Sequence, residues 1–374
     1  MRSRRRIVAL LLLFLVAVLW RPAGAHVRAA SLLARFVDPD ATGGLADAAR
    51  HPVDERDDVL AGTRVRLYMP AGVMRPPGVV IVHGVHWKGI GEPRLQRFAR
   101  TIAASGVAVM TPEVRELCDY RIDPASIDTI GLTSRAFAEQ LGVARVGLVG
   151  LSFAGGLSLV AASDPRFEGA LAFVVAIGAH DDLGRVLRFF ATNEAPRPDG
   201  TTLHIRAHDY GTVVLEYSYA EDFFPPLDVD AARDTLRFVL HEDFDAARER
   251  AKALSPVSTE KMDRILAHDT ASLAPELLAE ISRLEPRFAA VSPSAHVANL
   301  HVPTFVLHGA GDTLIPPSEA EWLGRDVPRS MLRANLVSAA IEHVNLEQGS
   351  SWIDELALVH FMGDVLDAAD DEQR

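Results

Sequence analysis

The sequence predicts an α/β protein with a mostly parallel central sheet covered by helices on both faces. Three observations support this class. From residue 60 onward short β-rich runs alternate with helical stretches, several of the β-rich runs are uninterruptedly apolar, and prolines or glycines end many of them. Continuous apolar strands are typical of parallel sheets buried on both sides, and strand–helix–strand units imply right-handed crossovers. The 374 residues suffice for one large domain or for a core that carries an insertion.

The core elements follow one another with short connections. Predicted strands cover residues 65–69, 79–82, 107–110, 146–149, 170–177, 304–307 and 331–337. Predicted helices cover residues 93–104, 127–141, 154–162, 317–323 and 353–366, and Gly142 is expected to cap the second of them. We expect the acidic residues 367–374 to be frayed and solvated.

Between residues 184 and 296 the alternation stops and helical spacing dominates. Helical segments are predicted over 229–240, 246–253, 259–268 and 275–284, with little strand signal. This stretch is too long for a simple crossover and too patterned for a linker. We therefore divide the chain into a first core part (26–183), a helical lid insertion over the edge of the sheet (184–296) and a second core part (297–374).

The N-terminus has the pattern of an export signal. The first six residues, MRSRRR, include four arginines and form a basic start, residues 7–20 are apolar, and Ala23-Gly24-Ala25 forms a small-x-small site ahead of His26. The apolar stretch is shorter than the ~20 residues of a typical membrane-spanning helix. Residues 1–25 are predicted to be a cleaved signal peptide or an N-terminal anchor. The protein is then secreted or periplasmic in the cell envelope, or membrane-associated through residues 7–20.

Composition excludes several classes of function. The formal net charge is −12, and no run of basic residues occurs beyond the first six, so nucleic acid is not expected as a partner. Cys118 is the single cysteine, which rules out an intramolecular disulfide and a cysteine metal cluster. Cys118 is expected to behave as a small, partly buried hydrophobic residue.

The run from Gly150 to Ala154, Gly-Leu-Ser-Phe-Ala, follows an apolar strand and opens a helix. Small residues two before and two after Ser152 allow a sharp strand-to-helix turn that exposes the serine hydroxyl. A helix cap is the simpler alternative for this serine. Because a serine hydroxyl needs a base and an orienting group to act as a nucleophile, the rest of the chain has to supply both.

Two later loops carry those groups in the order nucleophile, acid, histidine. Asp312 follows the predicted strand 304–307, and His343 lies in the loop after the next strand. Loops at the carboxyl ends of parallel strands meet at one edge of a sheet, which is where Ser152 lies. His83-Gly84-Val85 ends another strand at that edge, so the backbone amides of Val85 and Phe153 are candidate donors of an oxyanion hole.

With these motifs the chain resembles the α/β-hydrolase fold superfamily. The resemblance rests on His83-Gly84, Gly150-x-Ser152, His308-Gly309-x-x-Asp312 and His343, and it covers roughly residues 60–374. It implies a serine hydrolase in which Ser152 is the nucleophile, Asp312 orients the imidazole, and His343 is the general base and later the acid. Ala154 departs from the usual glycine, and we expect this small residue to be tolerated.

Alternatives remain for several residues. Asp312 instead caps the loop before Pro316 if Glu342 or Asp182 is the acid. His360 competes with His343 but falls in a helical pattern typical of a packed histidine. The ring of His83 is expected to be structural. No metal and no organic cofactor is expected, since the scattered histidines lack metal-ligand spacing.

Two further clusters lie near the same edge, and an aromatic stretch lies in the predicted insertion. Residues 86–88 (His-Trp-Lys) either line the acyl pocket or form an exposed loop. Residues 180–182 (His-Asp-Asp) are expected to make a hydrogen-bonded entry to the insertion rather than a metal site. The aromatic stretch of the insertion is expected to pack the insertion on the core rather than to stack on a cofactor. Its members are Tyr210, Tyr217, Tyr219, Phe223 and Phe224.

The sequence therefore predicts an enzyme that cleaves a carboxylic ester or a related acyl bond of a small-molecule or lipid-like substrate. The alternatives within this fold are a peptidase or an acyltransferase. An alternative of another class is a non-catalytic binding protein that retains the fold.

Overall fold

A computed structural model describes residues 23–38, 41–44, 46–47, 50–342, 345–346 and 351–372. The strands are β1 (Val53–Leu60), β2 (Thr63–Pro70), β3 (Gly78–Val82), β4 (Ala108–Pro112), β5 (Val146–Leu151), β6 (Leu171–Ile177), β7 (Glu194–Pro196), β8 (Thr202–His204), β9 (Thr304–Gly309), β10 (Leu332–Ser338), β11 (Ile341–Glu342) and β12 (Asn345–Leu346).

The helices belong to two groups, those of the core and those between β6 and β9. The core helices are α1 (23–37), α2 (Pro93–Ala103), α3 (Arg115–Cys118), α4 (Ala125–Leu141), α5 (Phe153–Ala162), α13 (Ser318–Asp326) and α14 (Trp352–Asp371). The others are α6 (Leu183–Thr192), α7 (Tyr210–Ser218), α8 (Ala220–Phe223), α9 (Val229–Leu240), α10 (Phe244–Ala251), α11 (Pro256–Leu266) and α12 (Thr270–Phe288).

Eight strands form the central sheet in the order β1-β2-β4-β3-β5-β6-β9-β10. β1 pairs with β2, and β2 with β4, in antiparallel fashion, whereas every pair from β4 to β10 is parallel. The predicted α/β class with a mostly parallel sheet is confirmed. Because β3, β5, β6 and β9 are neighbours, their carboxyl ends lie side by side at one edge.

Helices cover both faces of this sheet, as the alternation of buried side chains requires. Along β3, Val80 and Val82 belong to one hydrophobic cluster, whereas Val79 and Ile81 belong to the other. Helices α4 and α5 pack on the first face, and α2 and α14 pack on the second. Gly142 ends α4 in a left-handed conformation with φ 67°, as the sequence indicates.

The residues between the adjacent strands β6 and β9 form the helices α6 to α12, which lie against the carboxyl edge of the sheet. We call residues 184–296 the helical insert. The Tyr120 hydroxyl donates to the Leu240 carbonyl at 3.1 Å, and the His208 amide donates to the Thr313 carbonyl at 2.9 Å, so the insert is bonded to two loops of that edge. The sequence missed the short β7–β8 hairpin and the helices α7 and α8 of the aromatic stretch.

Helix α1 packs against α14, so the first and last described helices lie together. Ala25, Ala29 and Leu32 are buried in the cluster that α14 also enters. The expectation of a frayed acidic tail is wrong for residues 367–372. Helix α14 runs to Asp371, and the carboxylates of the last turns bind Arg28 and Arg145, whose opposite charge holds them.

The predicted signal or anchor, residues 1–25, lies outside the described residues except for 23–25, which begin α1. Within the described ranges, no helix combines the length and the apolar character needed to cross a membrane.

Candidate active site

Ser152 lies at the turn between β5 and α5 in a backbone conformation that few side chains adopt. Its φ is 57° and its ψ is −134°. A non-glycine residue in such a region costs about 1–3 kcal/mol, and it persists only where neighbouring structure holds it. Here the Ser152 amide donates to the Ile177 carbonyl of β6 at 2.8 Å, and its carbonyl accepts from the Gly155 amide at 2.8 Å. The turn is thus fixed from both sides.

Close backbone contacts explain the small residues around this serine. A Cβ atom on Gly150 would lie 2.4 Å from the Ala154 carbonyl oxygen, so only glycine fits there. A Cβ atom on Gly84 would lie 3.2 Å from the Cβ of Ser152, so the loop after β3 lies against the turn that carries Ser152. Ala154 is fully buried in the core, so the alanine that departs from the usual glycine is accommodated.

The two backbone amides expected to bind an oxyanion flank Ser152. Phe153 is the first residue of α5, where amides have no carbonyl partner one turn earlier in the helix. Val85 follows Gly84 and lines the same cavity as Ser152 and Phe153. The carbonyl of Val85 accepts a hydrogen bond from the Tyr210 hydroxyl at 3.2 Å, so a residue of the helical insert holds this loop.

A cavity of about 670 Å³ opens beside Ser152. Its walls come from the loop after β3, from the helical insert, and from α1, α2 and α14. The volume falls within the range of ~300–1,000 Å³ that is typical of small-molecule sites. The residues of the His-Trp-Lys run, 86–88, line this cavity, although Trp87 is also half exposed, so both interpretations of that loop hold in part.

Asp312 lies in the loop after β9, fully buried. Its Oδ1 accepts hydrogen bonds from the amides of Leu314 at 2.9 Å and Ile315 at 3.0 Å, so it does cap this loop. Its Oδ2 lies 3.4 Å from Nε2 of His308. Since a carboxylate has two oxygens, capping by Oδ1 is compatible with orienting an imidazole through Oδ2.

His343 lies outside the described residues, as does the side chain of Glu342. Ile341, two residues before His343, lines the cavity, and so does Leu314, two residues after Asp312. The other alternative acid, Asp182, caps α6 by accepting from the Arg185 amide at 2.7 Å and is absent from the cavity lining found in the described chain. The assignment of the acid and the base stays a prediction.

The strand order, the strand directions and the strained serine turn after β5 together decide the fold. The chain has the α/β-hydrolase fold. It is similar to the solved structures of a meta-cleavage product hydrolase from Pseudomonas fluorescens IP01 (14% identity, 84% of this chain and 97% of that one, TM-score 0.43) and of a 2-hydroxy-6-oxo-6-phenylhexa-2,4-dienoate hydrolase from Rhodococcus sp. strain RHA1 (16%, 83% and 99%, 0.44).

A third similar structure is an alpha/beta hydrolase fold protein from Nakamurella multipartita, at 14% identity over 83% of this chain and 100% of that one, with a TM-score of 0.39. No protein-family model matches the sequence, and no curated protein matches it.

The ring of His83, the residue before Gly84 in the loop after β3, is structural, as expected. Its Nε2 accepts from the Val114 amide at 3.1 Å, so the proton is on Nδ1, which donates to the Gly84 carbonyl at 2.8 Å. Complete burial lowers the pKa of His83 to about 4, which keeps the ring neutral.

Cys118 lies 3.8 Å from the ring of His83, and burial raises the pKa of the Cys118 thiol to about 12. This is in line with an inert, partly buried residue.

Residues 180–182 form the expected hydrogen-bonded entry to the insert. Nε2 of the buried His180 donates to the Val291 carbonyl at 2.9 Å. Arg185 binds Asp181 at 2.9 Å and also binds Glu319 of α13, whose carboxylate accepts from the Asp181 amide. The sequence missed Glu319, since 134 residues separate it from Arg185 and no local pattern indicates the pair.

The aromatic stretch is mainly a packing feature, as predicted. Tyr217, Phe223 and Phe224 are buried in the core cluster, whereas Tyr210 lines the cavity.

His360 is not the packed histidine that its helical pattern suggests, because its side chain is 69% exposed. The Nδ1 atom of His360 lies 2.8 Å from the Nε2 atom of His26, and a carboxylate oxygen of Asp364 lies within 4.8 Å of a nitrogen of each ring. A hydrogen bond between the two rings accounts for this contact between α1 and α14.

Proposed function

We propose that the protein is a serine hydrolase that cleaves a carboxylic ester or a related acyl bond. One observation carries the proposal: Ser152 occupies a strained strand-to-helix turn that opens into a cavity of about 670 Å³. Strained backbone of this kind is costly, and active sites are where proteins retain it. The amides of Val85 and Phe153 beside the same cavity supply the chemistry that a developing oxyanion needs.

In the acylation step, the Ser152 oxygen attacks the substrate carbonyl while His343 takes the hydroxyl proton. The carbonyl π electrons move to oxygen, and the oxyanion accepts hydrogen bonds from the two amides. When the tetrahedral species collapses, the bond to the leaving alcohol breaks, and His343 gives its proton to that alcohol. The Asp312 carboxylate orients the imidazole and stabilises its charged form.

Water then hydrolyses the acyl-enzyme by the same route. His343 takes a proton from water, the hydroxide adds to the acyl carbonyl, and the Ser152 oxygen leaves with the returned proton. The products are a carboxylic acid and the free enzyme. Every proton moves between Ser152, His343, water and the substrate, so the sequence of steps balances without a metal or an organic cofactor.

A fluorophosphonate probe tests the proposal, because it phosphonylates a serine only when that serine is activated. We expect the native protein to be labelled and Ser152→Ala to be unlabelled. Ser163→Ala is the matched control, since Ser163 caps the other end of α5 and is as buried as Ser152, each 7% exposed. Equal labelling of both variants, or none of the folded native protein, contradicts the proposal.

We also propose that the protein is exported to the cell envelope, with cleavage ahead of His26 or retention through residues 7–20. The cut would remove only residues 23–25 from α1 and would leave Leu32 and Phe36, which line the cavity. Mass spectrometry of the mature chain distinguishes the two forms by whether Met1 or His26 begins it.

A further inference from the structure

The cavity beside Ser152 continues away from the helical insert, into a space between α1, α2 and α14. We call this part the apolar arm and define it by Leu33 and Phe36 of α1, Phe98 of α2, and Leu358 and Met362 of α14. Phe36 and Phe98 meet edge to face with their ring centroids 5.6 Å apart, which closes one side of the arm.

The opposite part of the cavity has a different chemistry. Beneath the insert its walls include His208, Tyr210, His241 and Glu242. These groups hydrogen-bond with water or a polar ligand, whereas the five side chains of the apolar arm have no hydrogen-bonding group apart from the weakly accepting thioether of Met362. The cavity beside Ser152 therefore has both polar and apolar walls.

The apolar arm adjoins a second, small space of about 20 Å³. Phe98, Ile177 and Met362 line both spaces, so they form the boundary between them. The second space is lined by apolar side chains and exposes no polar surface, so it suits hydrocarbon rather than water. A methionine side chain is unbranched and adaptable, so Met362 is the boundary residue that can most easily make room for a ligand.

We propose that the apolar arm binds an unbranched acyl chain of medium length, which makes α1 part of the substrate-binding wall. The inference rests on the proposed function, because it takes Ser152 as the acylated residue. An acyl chain attached to Ser152 gains hydrophobic free energy along the apolar arm, at up to about fourfold in affinity for each buried methylene. The leaving alcohol then departs on the polar side beneath the insert.

Helix α1 is fixed well enough to form such a wall. The Arg28 guanidinium binds Asp370 of α14, and the Ser31 hydroxyl donates to the Ala46 carbonyl at 3.1 Å. Leu32, on the side of α1 that faces the core, is fully buried. Val27, on the outer side of the same helix, is 47% exposed and offers a matched control position.

Hydrolysis of monomeric p-nitrophenyl acetate, butyrate and octanoate tests the arm directly. In the native protein we expect kcat/KM to rise at least about tenfold from butyrate to octanoate. Leu33→Trp fills the arm, so it should lower kcat/KM for octanoate about tenfold and leave acetate within about twofold. Val27→Trp should leave both unchanged. Equal loss for acetate and octanoate in folded Leu33→Trp, or no loss at all, overturns the inference.

Met362→Ala gives a second variant in case Leu33→Trp does not fold. It joins the arm to the space of about 20 Å³, so the preferred acyl chain should become longer by at least one carbon pair. An unchanged chain-length optimum in this folded variant overturns the inference. Selectivity for acetate esters of long alcohols over esters of long acids also overturns it, since it places the alcohol in the arm.

Calorimetric titration of Ser152→Ala with decanoate separates this inference from the proposed function. If native protein hydrolyses no ester but decanoate binds, and binding weakens at least tenfold in Ser152→Ala combined with Leu33→Trp, the proposed function fails and the arm stands. If esters are hydrolysed at rates independent of chain length and decanoate does not bind, the arm fails and the proposed function stands.

Discussion

The sheet edge around Ser152 and the attachment of the helical insert hold their buried polar groups in different ways. At the sheet edge, His83 is neutral and bonded to two backbone groups, and the Ser152 backbone is bonded to β6 and α5. The insert is attached through buried ionisable groups: Arg185 lies between Asp181 and Glu319, and Glu216 of α7 is almost fully buried.

The difference matters for pH. Burial and, to a smaller extent, the negative charge of the nearby Glu319 together raise the pKa of Asp181 to about 7. The Arg185 guanidinium that could offset this charge makes two hydrogen bonds with Glu319. Burial raises the pKa of Glu216 to about 8. Both acids ionise more easily in the unfolded chain, so their protonated forms stabilise the folded state. This contribution is fully present at pH values below the ordinary pKa of each carboxyl, and it is lost as pH rises through 7 for Asp181 and 8 for Glu216. The insert, rather than the edge with Ser152, therefore limits stability in mild alkali.

The largest effect that we predict concerns the sheet edge and separates the two candidate acids. Asp312→Asn retains an oxygen for the amides of Leu314 and Ile315, so the fold should persist while kcat for ester hydrolysis falls about 10⁴-fold. Asp182→Asn is the control, since it retains the α6 cap and should change kcat by less than about twofold. A full loss of activity in Asp182→Asn instead would move the acid to that residue.

The second prediction concerns the insert and the buried ion pair at its entry. Arg185→Met leaves Asp181 and Glu319 buried without their cation, which should lower the free energy of unfolding by about 3–5 kcal/mol at pH 7. Arg188→Met, one turn along α6, removes a more exposed pair with Glu285 and should cost under about 1 kcal/mol. Urea titration of both variants measures the difference. Equal midpoints would show that the charged cluster does not hold the insert.

The smallest effect is a pH-dependent gain in stability from Glu216→Gln. Within the described chain the Oε2 of Glu216 has no hydrogen-bond partner, and the nearby Lys261 is already bonded to Glu276. The amide cannot ionise, so the variant should match the native protein at about pH 4, below the ordinary pKa of a glutamate, and exceed it by about 1–3 kcal/mol at pH 9.

Glu221→Gln is the control for this substitution, because Glu221 is exposed and paired with Arg233. It should change the pH profile of urea unfolding by less than about 0.5 kcal/mol. A Glu216→Gln profile parallel to that of the native protein would mean that Glu216 does not titrate on unfolding.

Local signals explain why much of the fold is predictable from the sequence. The predicted helix 229–240 coincides with α9, and the predicted strand 304–307 lies within β9, because apolar spacing and flanking prolines mark both. The Ser152 turn is recognisable because its small residues are required by backbone contacts only a few positions away.

The structural features that the sequence did not indicate depend on residues far away in the chain or have only a weak local pattern. Strand β1 is charged and mostly exposed at the edge of the sheet, so it lacks the apolar pattern of the central strands. The acidic tail is helical because Arg28 and Arg145, far away in the chain, neutralise it. The cavity wall formed by α1 is not indicated by the sequence for the same reason, since Leu33 and Phe36 line the cavity together with Leu358 and Met362 of α14, more than 300 residues away in the chain.

The packing of α1 on α14 brings the beginning and the end of the described chain into a single wall. Arg28 joins Asp370 across this contact, and His26 meets His360. A truncation that removes part of α1 beyond His26 or part of α14 is therefore expected to alter substrate selectivity, although Ser152 is remote from both helices in sequence. If the proposed acyl-binding arm is correct, α1 and α14 act as one substrate-binding part, and activity measured on chains shortened within either helix reports on both.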